Sequence, residues 1–283
     1  MNKKQKPTKQ EKIEQSMQTL PDLRISPFLP IAKINKNSKL YKNFVANNNI
    51  LERKTSWGKI QIRNRLLTQY HSDVLSGIMA LKNKKMFFLE NRDVAIFFSI
   101  YQLSKQMHLE WGERNKTNLI ETILEIRDLV ITRWNNQGDL LGTYNIIKDA
   151  KYSNKLDMFG IILSKEYINF FVKEITISFP ETHKKMREKV KGRGEGLIKA
   201  TINFFITQQT NQKIELIKLL ETIGYPINTD RQIRNAKEIL NSNINLLKEF
   251  GIEYDKKTKI FTYTEQLNDI KFLPPTTIIA TKK

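Results

Sequence analysis

Asp230 to Thr264 reads DRQIRNAKEILNSNINLLKEFGIEYDKKTKIFTYT, and how this stretch folds decides how the rest of the chain is parsed. Ile233, Ala236, Leu240, Ile244 and Leu247 recur at steps of three and four, which gathers them on one face of a long helix. The opposite face carries Arg231, Arg234, Asn235, Glu238, Asn241, Ser242 and Asn245. Gly251 is placed to end the helix, because glycine enters the left-handed conformation of a C-terminal cap without steric cost. Two short runs, Ile252-Glu253-Tyr254 and Ile260-Phe261-Thr262-Tyr263, then flank Asp255-Lys256-Lys257-Thr258-Lys259 and predict a hairpin with a lysine-rich tip.

A helix backed by such a hairpin is what a winged helix presents to DNA. Arg and Asn pair bidentately with guanine and adenine edges, and the lysines of the wing meet phosphate. The competing reading is a solvated helix face beside a solvated turn, since every amphipathic surface helix has a polar side.

Composition favours a polyanionic partner. Lys and Arg number 48 against 29 Asp and Glu, a formal net charge of +19 over 283 residues. A surplus of that size repels itself in a compact chain unless nucleic acid or an anionic surface answers it. No apolar run approaches the ~18 residues of a membrane span, and no signal sequence opens the chain. Cysteine is absent, which rules out disulfides, cysteine-held zinc and thiol catalysis and suits a reducing cytoplasm. The expected location is therefore cytoplasmic, at nucleoid or plasmid, without membrane attachment.

The length suits two domains. Residues 1–25 are expected to be a basic, flexible tail with an extended proline-containing lead-in. Residues 26–180 read as a first domain, its core starting near Trp57. Strands are predicted at Lys59–Ile62 and Lys85–Leu89, and helices at Thr68–Leu81 and at Arg92–Gln106. Asn91 caps the second helix, which buries Val94, Phe97, Phe98 and Tyr101. A helix over Thr117–Arg127 precedes a hairpin of Leu129–Trp134 and Leu140–Ile147 around Asn135–Gly138, followed by a strand at Met158–Leu163 and a short helix at Lys165–Val172.

Residues 181–266 repeat the order helix, helix, hairpin: Glu195–Thr207, Lys213–Ile223, then the opening stretch. A basic, glycine-containing joint, His183 to Gly194, connects the two, and residues 267–283 form a tail. The predicted fold class is α+β, two tandem winged-helix domains, mostly helical with short β-hairpin wings.

Several segments resemble the iteron-binding replication initiator (Rep) proteins of bacterial plasmids, the TrfA-like initiators among them. They are Ser26-Pro27-Phe28-Leu29-Pro30-Ile31-Ala32, Asn118 to Thr132, Gly160 to Ile168, and Arg231 to Tyr254, in that order along the chain. The resemblance implies binding to repeated origin sites in double-stranded DNA, opening of an adjacent A·T-rich region, and recruitment of host replication proteins such as a helicase or initiator. It further implies autorepression and a homodimer formed through the first domain. The first-domain helix departs from a DNA-reading face, because Glu121 and Glu125 point outward, which fits backbone contact or dimerisation better. Two rivals stay open: a winged-helix transcriptional repressor, and a basic module that binds acidic proteins or RNA.

Catalytic patterns are missing from the sequence. His71, His108 and His183 are isolated, so the paired histidines of metal-dependent strand cutting are absent. Gly192-Arg193-Gly194-Glu195-Gly196 lacks the lysine-hydroxyl ending of a phosphate loop. Glu121 and Glu125 lie one turn apart, but nothing completes a metal site around them. The expectation is a binding protein, not an enzyme, with no catalytic residue, no metal and no cofactor. Arg231, Arg234, Asn235, Asn241 and Asn245 are assigned to base edges, and Lys256, Lys257 and Lys259 to phosphates at the hairpin. Lys184, Lys185, Arg187, Lys189 and Arg193 are assigned to the DNA backbone between the domains.

Overall fold

The computed structural model describes residues 18–19, 23, 26–55, 58–153, 155, 158–173 and 176–273. Most of the tail expected over 1–25, Trp57 and the end of the tail from 274 lie outside them. The chain runs through β1 (Gln18–Thr19), β2 (Phe28–Leu29), α1 (Lys39–Ala46), β3 (Ile50–Thr55), β4 (Gly58–Arg63), β5 (Leu67–Thr68), α2 (Gln69–Ala80), β6 (Lys85–Phe88) and β7 (Val94–Ser99). It continues with α3 (Ile100–Gln106), α4 (Glu113–Asp128), β8 (Val130–Trp134), β9 (Leu140–Tyr144), β10 (Ile147–Ser153), β11 (Met158–Leu163), α5 (Lys165–Lys173) and β12 (Thr176–Ser178). Then follow α6 (Pro180–Lys189), α7 (Glu195–Phe205), β13 (Lys213–Glu215), α8 (Leu216–Ile223), α9 (Asp230–Ser242), α10 (Ile244–Lys248), β14 (Ile252–Asp255), β15 (Ile260–Tyr263) and β16 (Lys271–Leu273).

Two large apolar clusters organise these elements. The first lies among α2, α4 and two four-stranded antiparallel sheets of order β3-β4-β8-β9 and β10-β11-β7-β6. Ile60, Ile62, Val74, Ile78, Ile96, Phe98, Ile123, Ile131 and Phe159 are buried there. The second lies among α6, α7, α8, α9 and the sheet β13-β15-β14, with Leu197, Ile202, Phe205, Leu219, Leu240, Phe250, Phe261 and Tyr263 inside. A small sheet, β1-β12-β16, pairs the early chain with its late part (Gln18 opposite Ile177, Ser178 opposite Lys271).

This is not the predicted fold class. The chain is mixed, with 41% helix and 26% strand, so the expectation of two tandem, mostly helical winged-helix domains is overturned. The strand content was underread for two physical reasons. Ile50–Thr55 (ILERKT) and Ile147–Ser153 (IKDAKYS) are edge strands, whose exposed sides carry charge and hide the apolar alternation. Val94–Ser99 (VAIFFS) is instead apolar on both faces, and such a run fits strand or helix equally by spacing. It is strand β7, so the helix expected over Arg92–Gln106 begins only at Ile100. Phe97 and Tyr101, expected inside, are exposed.

The other departures are local. Lys213–Ile223 is not one helix: Lys213–Glu215 pairs with β15, and only Leu216–Ile223 is helical. The joint at His183–Gly194 is mostly α6, opened by Pro180 at its first turn, and it buries His183, Met186 and Val190. It is core structure, not a solvated linker.

Buried charge connects the two clusters. Lys199 on α7 reaches Asp73 on α2 at 2.5 Å and Glu195 at 2.5 Å, with only 5% of the Lys199 side chain and 8% of the Asp73 side chain exposed. Gln69 Nε2 also donates to Asp73 (3.3 Å). Burial alone would lower the ammonium's pKa, but the two carboxylates outweigh it and hold Lys199 above the ordinary lysine value. Nearby, Arg187 Nη1 donates to His183 Nδ1 (3.0 Å).

Burial, then the charges of Arg187 and Lys199, push the His183 imidazole down to about 3. A depressed histidine stabilises the fold fully above its unfolded pKa of about 6.5, and that contribution is lost as pH falls from there towards 3. At pH 5 the loss is about 2 kcal/mol. Chemical denaturation of wild type and His183→Gln at pH 7 and pH 5 is expected to show the wild type losing more stability than the variant by that amount.

Candidate nucleic-acid interface

The helix α9 starts where its sequence specifies. Thr229 Oγ1 accepts from Gln232 N (3.3 Å), and Gln232 Oε1 accepts from Thr229 N (3.1 Å), a reciprocal cap at the first turn. Ala236, Ile239 and Leu240 are buried against the second cluster, while Ile233 and Ile244 are half-buried. The long helix is interrupted at Asn243, whose side chain donates back to Ile239 O (2.8 Å), a local bond that competes with helical continuation. Past the short α10, Gly251 takes φ +71°, and a Cβ there would stand 2.1 Å from Glu265 O, so the chain turns into β14 only with glycine. Tyr254 and Phe261 stack across the hairpin at 4.2 Å between ring centroids. Its tip is fixed by Asp255, which accepts from Thr258 Oγ1 and from Lys257 N, both at 2.8 Å.

The candidate side chains separate into distinct environments. Arg231 and Arg234 are exposed on α9, and no ion pair among the described residues engages them. Asn235 is half-buried and occupied: its Oδ1 accepts from Arg193 Nη2 (2.8 Å), and its Nδ2 donates to Tyr225 Oη (3.3 Å). Arg193 also pairs with Glu238 at 3.2 Å, so this basic side chain lies along the polar face of α9.

Asn241 and Asn245 sit at the far end of that face. Together with Ser242, Ile244, Lys248, Tyr254, Asp255, Lys256 and Lys257 they line a groove of about 500 Å³ between the helices and the hairpin. Lys256, Lys257 and Lys259 are exposed at the hairpin tip.

The backbone cations proposed for the joint are not a free strip. Lys185 donates to Glu249 O (2.7 Å), pairs with the Glu249 carboxylate (3.3 Å) and lies over the Phe250 ring. Lys189 takes the same carboxylate at 2.5 Å, and the two ammonium groups, Lys189 foremost, hold Glu249 below the usual carboxylate range. Arg187 turns inward to His183, leaving Lys184 and Arg193 facing outward. In the first cluster, Glu121 is exposed and Glu125 accepts from His71 Nε2 (2.7 Å). Lys248 and Tyr254 join the groove without having been singled out in the sequence. Lys248 reads there as an ordinary helix-end cation and Tyr254 as a strand core residue.

No family model, curated protein or solved structure matches this chain. Among the described residues no helix is long and apolar enough to cross a membrane.

Proposed function

We propose that this chain is a sequence-specific, double-stranded DNA-binding replication initiator without enzymatic activity. On this reading it binds repeated origin sites, promotes opening of adjacent A·T-rich DNA and recruits host replication proteins. The observation that carries the DNA part is the surface around α9. Two exposed arginines occupy one end of its polar face, an asparagine-lined groove lies at the other, and lysines project from the hairpin beside it. Arginine and asparagine supply the bidentate donors and acceptors that distinguish base edges, and the lysines supply sequence-independent attraction to phosphate. The net charge of +19 supports a polyanionic partner over a neutral one. The initiator part is supported by the resemblance to plasmid Rep proteins in the sequence.

Three experiments test it. Lys257→Ala is expected to weaken target and random duplex alike and to reduce the slope of log affinity against log salt by about 1. Permanganate footprinting on supercoiled plasmid carrying the bound sites is expected to reveal unpaired thymines in neighbouring A·T-rich DNA. Binding without any such reactivity would mark a repressor instead. Equal affinity for duplex DNA and RNA of the same length would favour a charge-driven interaction module.

A further inference from the structure

The two edges of the sheet β10-β11-β7-β6 are built differently. β6 (KMFF) pairs with β7 alone, in unbroken register from Lys85 opposite Phe97 to Phe88 opposite Val94, and no strand lies on its other side among the described residues. β10, at the far edge, carries two protections against further pairing: a register shift between Ile147 and Asp149, and charge in IKDAKYS. β6 has neither bulge nor proline. Phe87 is 52% exposed, Phe88 45% and the following Leu89 36%, and Phe87 meets the exposed ring of Phe97 edge-on at 6.2 Å. Clustered apolar exposure along a regular, unpaired edge marks a place that another strand can join.

The edge is also fixed in advance. Leu89 N donates to Asp93 O (2.9 Å), Asn91 Nδ2 donates to the Asp93 carboxylate (2.7 Å), and Asn91 Oδ1 accepts from Asp93 N (3.0 Å). The same carboxylate accepts from Lys165 N (2.7 Å) and Lys148 Nζ (3.0 Å), which ties the β6–β7 hairpin to α5 and β10. A strand held this way has little entropy left to lose on pairing.

Charge selects the occupant. Lys82 and Lys85 precede the apolar run, Arg92 follows it, and all three are exposed; Glu90 is the one acid between Lys82 and Arg92. A second copy of this chain would bring two such sets of cations together, on a molecule already at +19. An acidic segment answers them. We propose that β6 receives an extended segment of a partner protein, a few apolar residues flanked on both sides by Asp or Glu, added as a fifth strand. Its main chain pairs with the open edge. Its apolar side chains cover Phe87 and Phe97 on one face and Phe88 on the other, because side chains alternate along β6. Its carboxylates meet Lys82 and Lys85 at one end and Arg92 at the other. The surface around α9 takes no part, so the proposal stands or falls without DNA.

The probe is a pool of fluorescent, end-blocked peptides in which a pair of glutamates stands on each side of a short core varied among Ile, Val, Leu and Phe. The full chain is titrated at ~150 mM salt. Wild type is expected to retain a subset of the pool. Phe87→Ser and Lys85→Glu, both at exposed positions, are expected to bind that subset about tenfold more weakly, and the same peptides with lysine for glutamate should not bind. N-methylation of alternate amides in a retained peptide separates strand pairing from loose apolar contact. One phase should keep the affinity, and the other should lose it by about tenfold or more. No retention at about 1 mM peptide, or equal affinity in the two phases, would overturn the proposal. A dimer in sedimentation that Phe87→Ser dissociates would assign the edge to a second copy instead. Retention of single-stranded oligothymidine but not of the peptides would assign it to nucleic acid.

Discussion

Lys199→Met is expected to destabilise the folded protein by about 3–5 kcal/mol at pH 7, the largest effect of any single substitution considered. The change keeps most of the side-chain volume but leaves Asp73 buried without its cation, and Glu195 loses the same partner. Leaving a charge uncompensated in the interior is what makes the substitution severe. A second change that removes the carboxylate, Asp73→Leu, is expected to restore much of the loss in the double variant, since an apolar pair of similar size escapes the desolvation penalty.

Urea denaturation followed by two probes adds a test of position. The two described tryptophans adjoin the first cluster, Trp111 just before α4 and Trp134 at the end of β8, so their fluorescence follows that cluster while circular dichroism follows both. The wild type should show coincident transitions, and Lys199→Met should separate them. Coincident curves and a loss below about 1 kcal/mol would mean that the ion pair does not couple the clusters.

Replacing Arg231 and Arg234 together by alanine is expected to cost about 2–6 kcal/mol in discrimination between target and random duplex, about 1–3 for each base contact. Stability should hardly change, because both side chains are exposed on α9 and carry no ion pair among the described residues. Non-specific affinity should fall as well, since two charges leave the surface. Asn235 is a weaker lever. Its amide is already held by Arg193 and Tyr225, so a base would have to displace those bonds to reach it. Unchanged discrimination in the double arginine variant would remove α9 as the reading element, while the charge argument would stand.

Much of the last third of the chain was legible in the sequence. The apolar stripe through Ala236 and Leu240, the glycine stop at Gly251 and the hairpin all come from local chemistry: helical periodicity and turn residues. The first part was less legible, because the letters of several of its strands mark them poorly even where the pairing is local. Ile147–Ser153 is a strand because Met158–Leu163 pairs with it, and its own letters alternate poorly. Val94–Ser99 lies between β6 and the distant strand β11, and its unbroken apolar run does not by itself distinguish strand from helix.

The same limit applied to the site. Exposed Arg231 and Arg234 followed from helical phase alone, whereas the pairing of Lys185 and Lys189 with Glu249 depends on a contact spanning some sixty residues. Tyr254 was hidden for the opposite reason. Its ring is core, and only the fold brings it beside the groove that Asn241, Ser242 and Lys257 line.

The most direct test of sequence-specific DNA binding is selection from a pool of random duplexes at ~150 mM salt, near physiological ionic strength, followed by sequencing of what is retained. A defined motif is predicted, with dependence on Arg231 and Arg234. Retention that tracks charge alone, with no motif enriched, would contradict the proposed function at its centre.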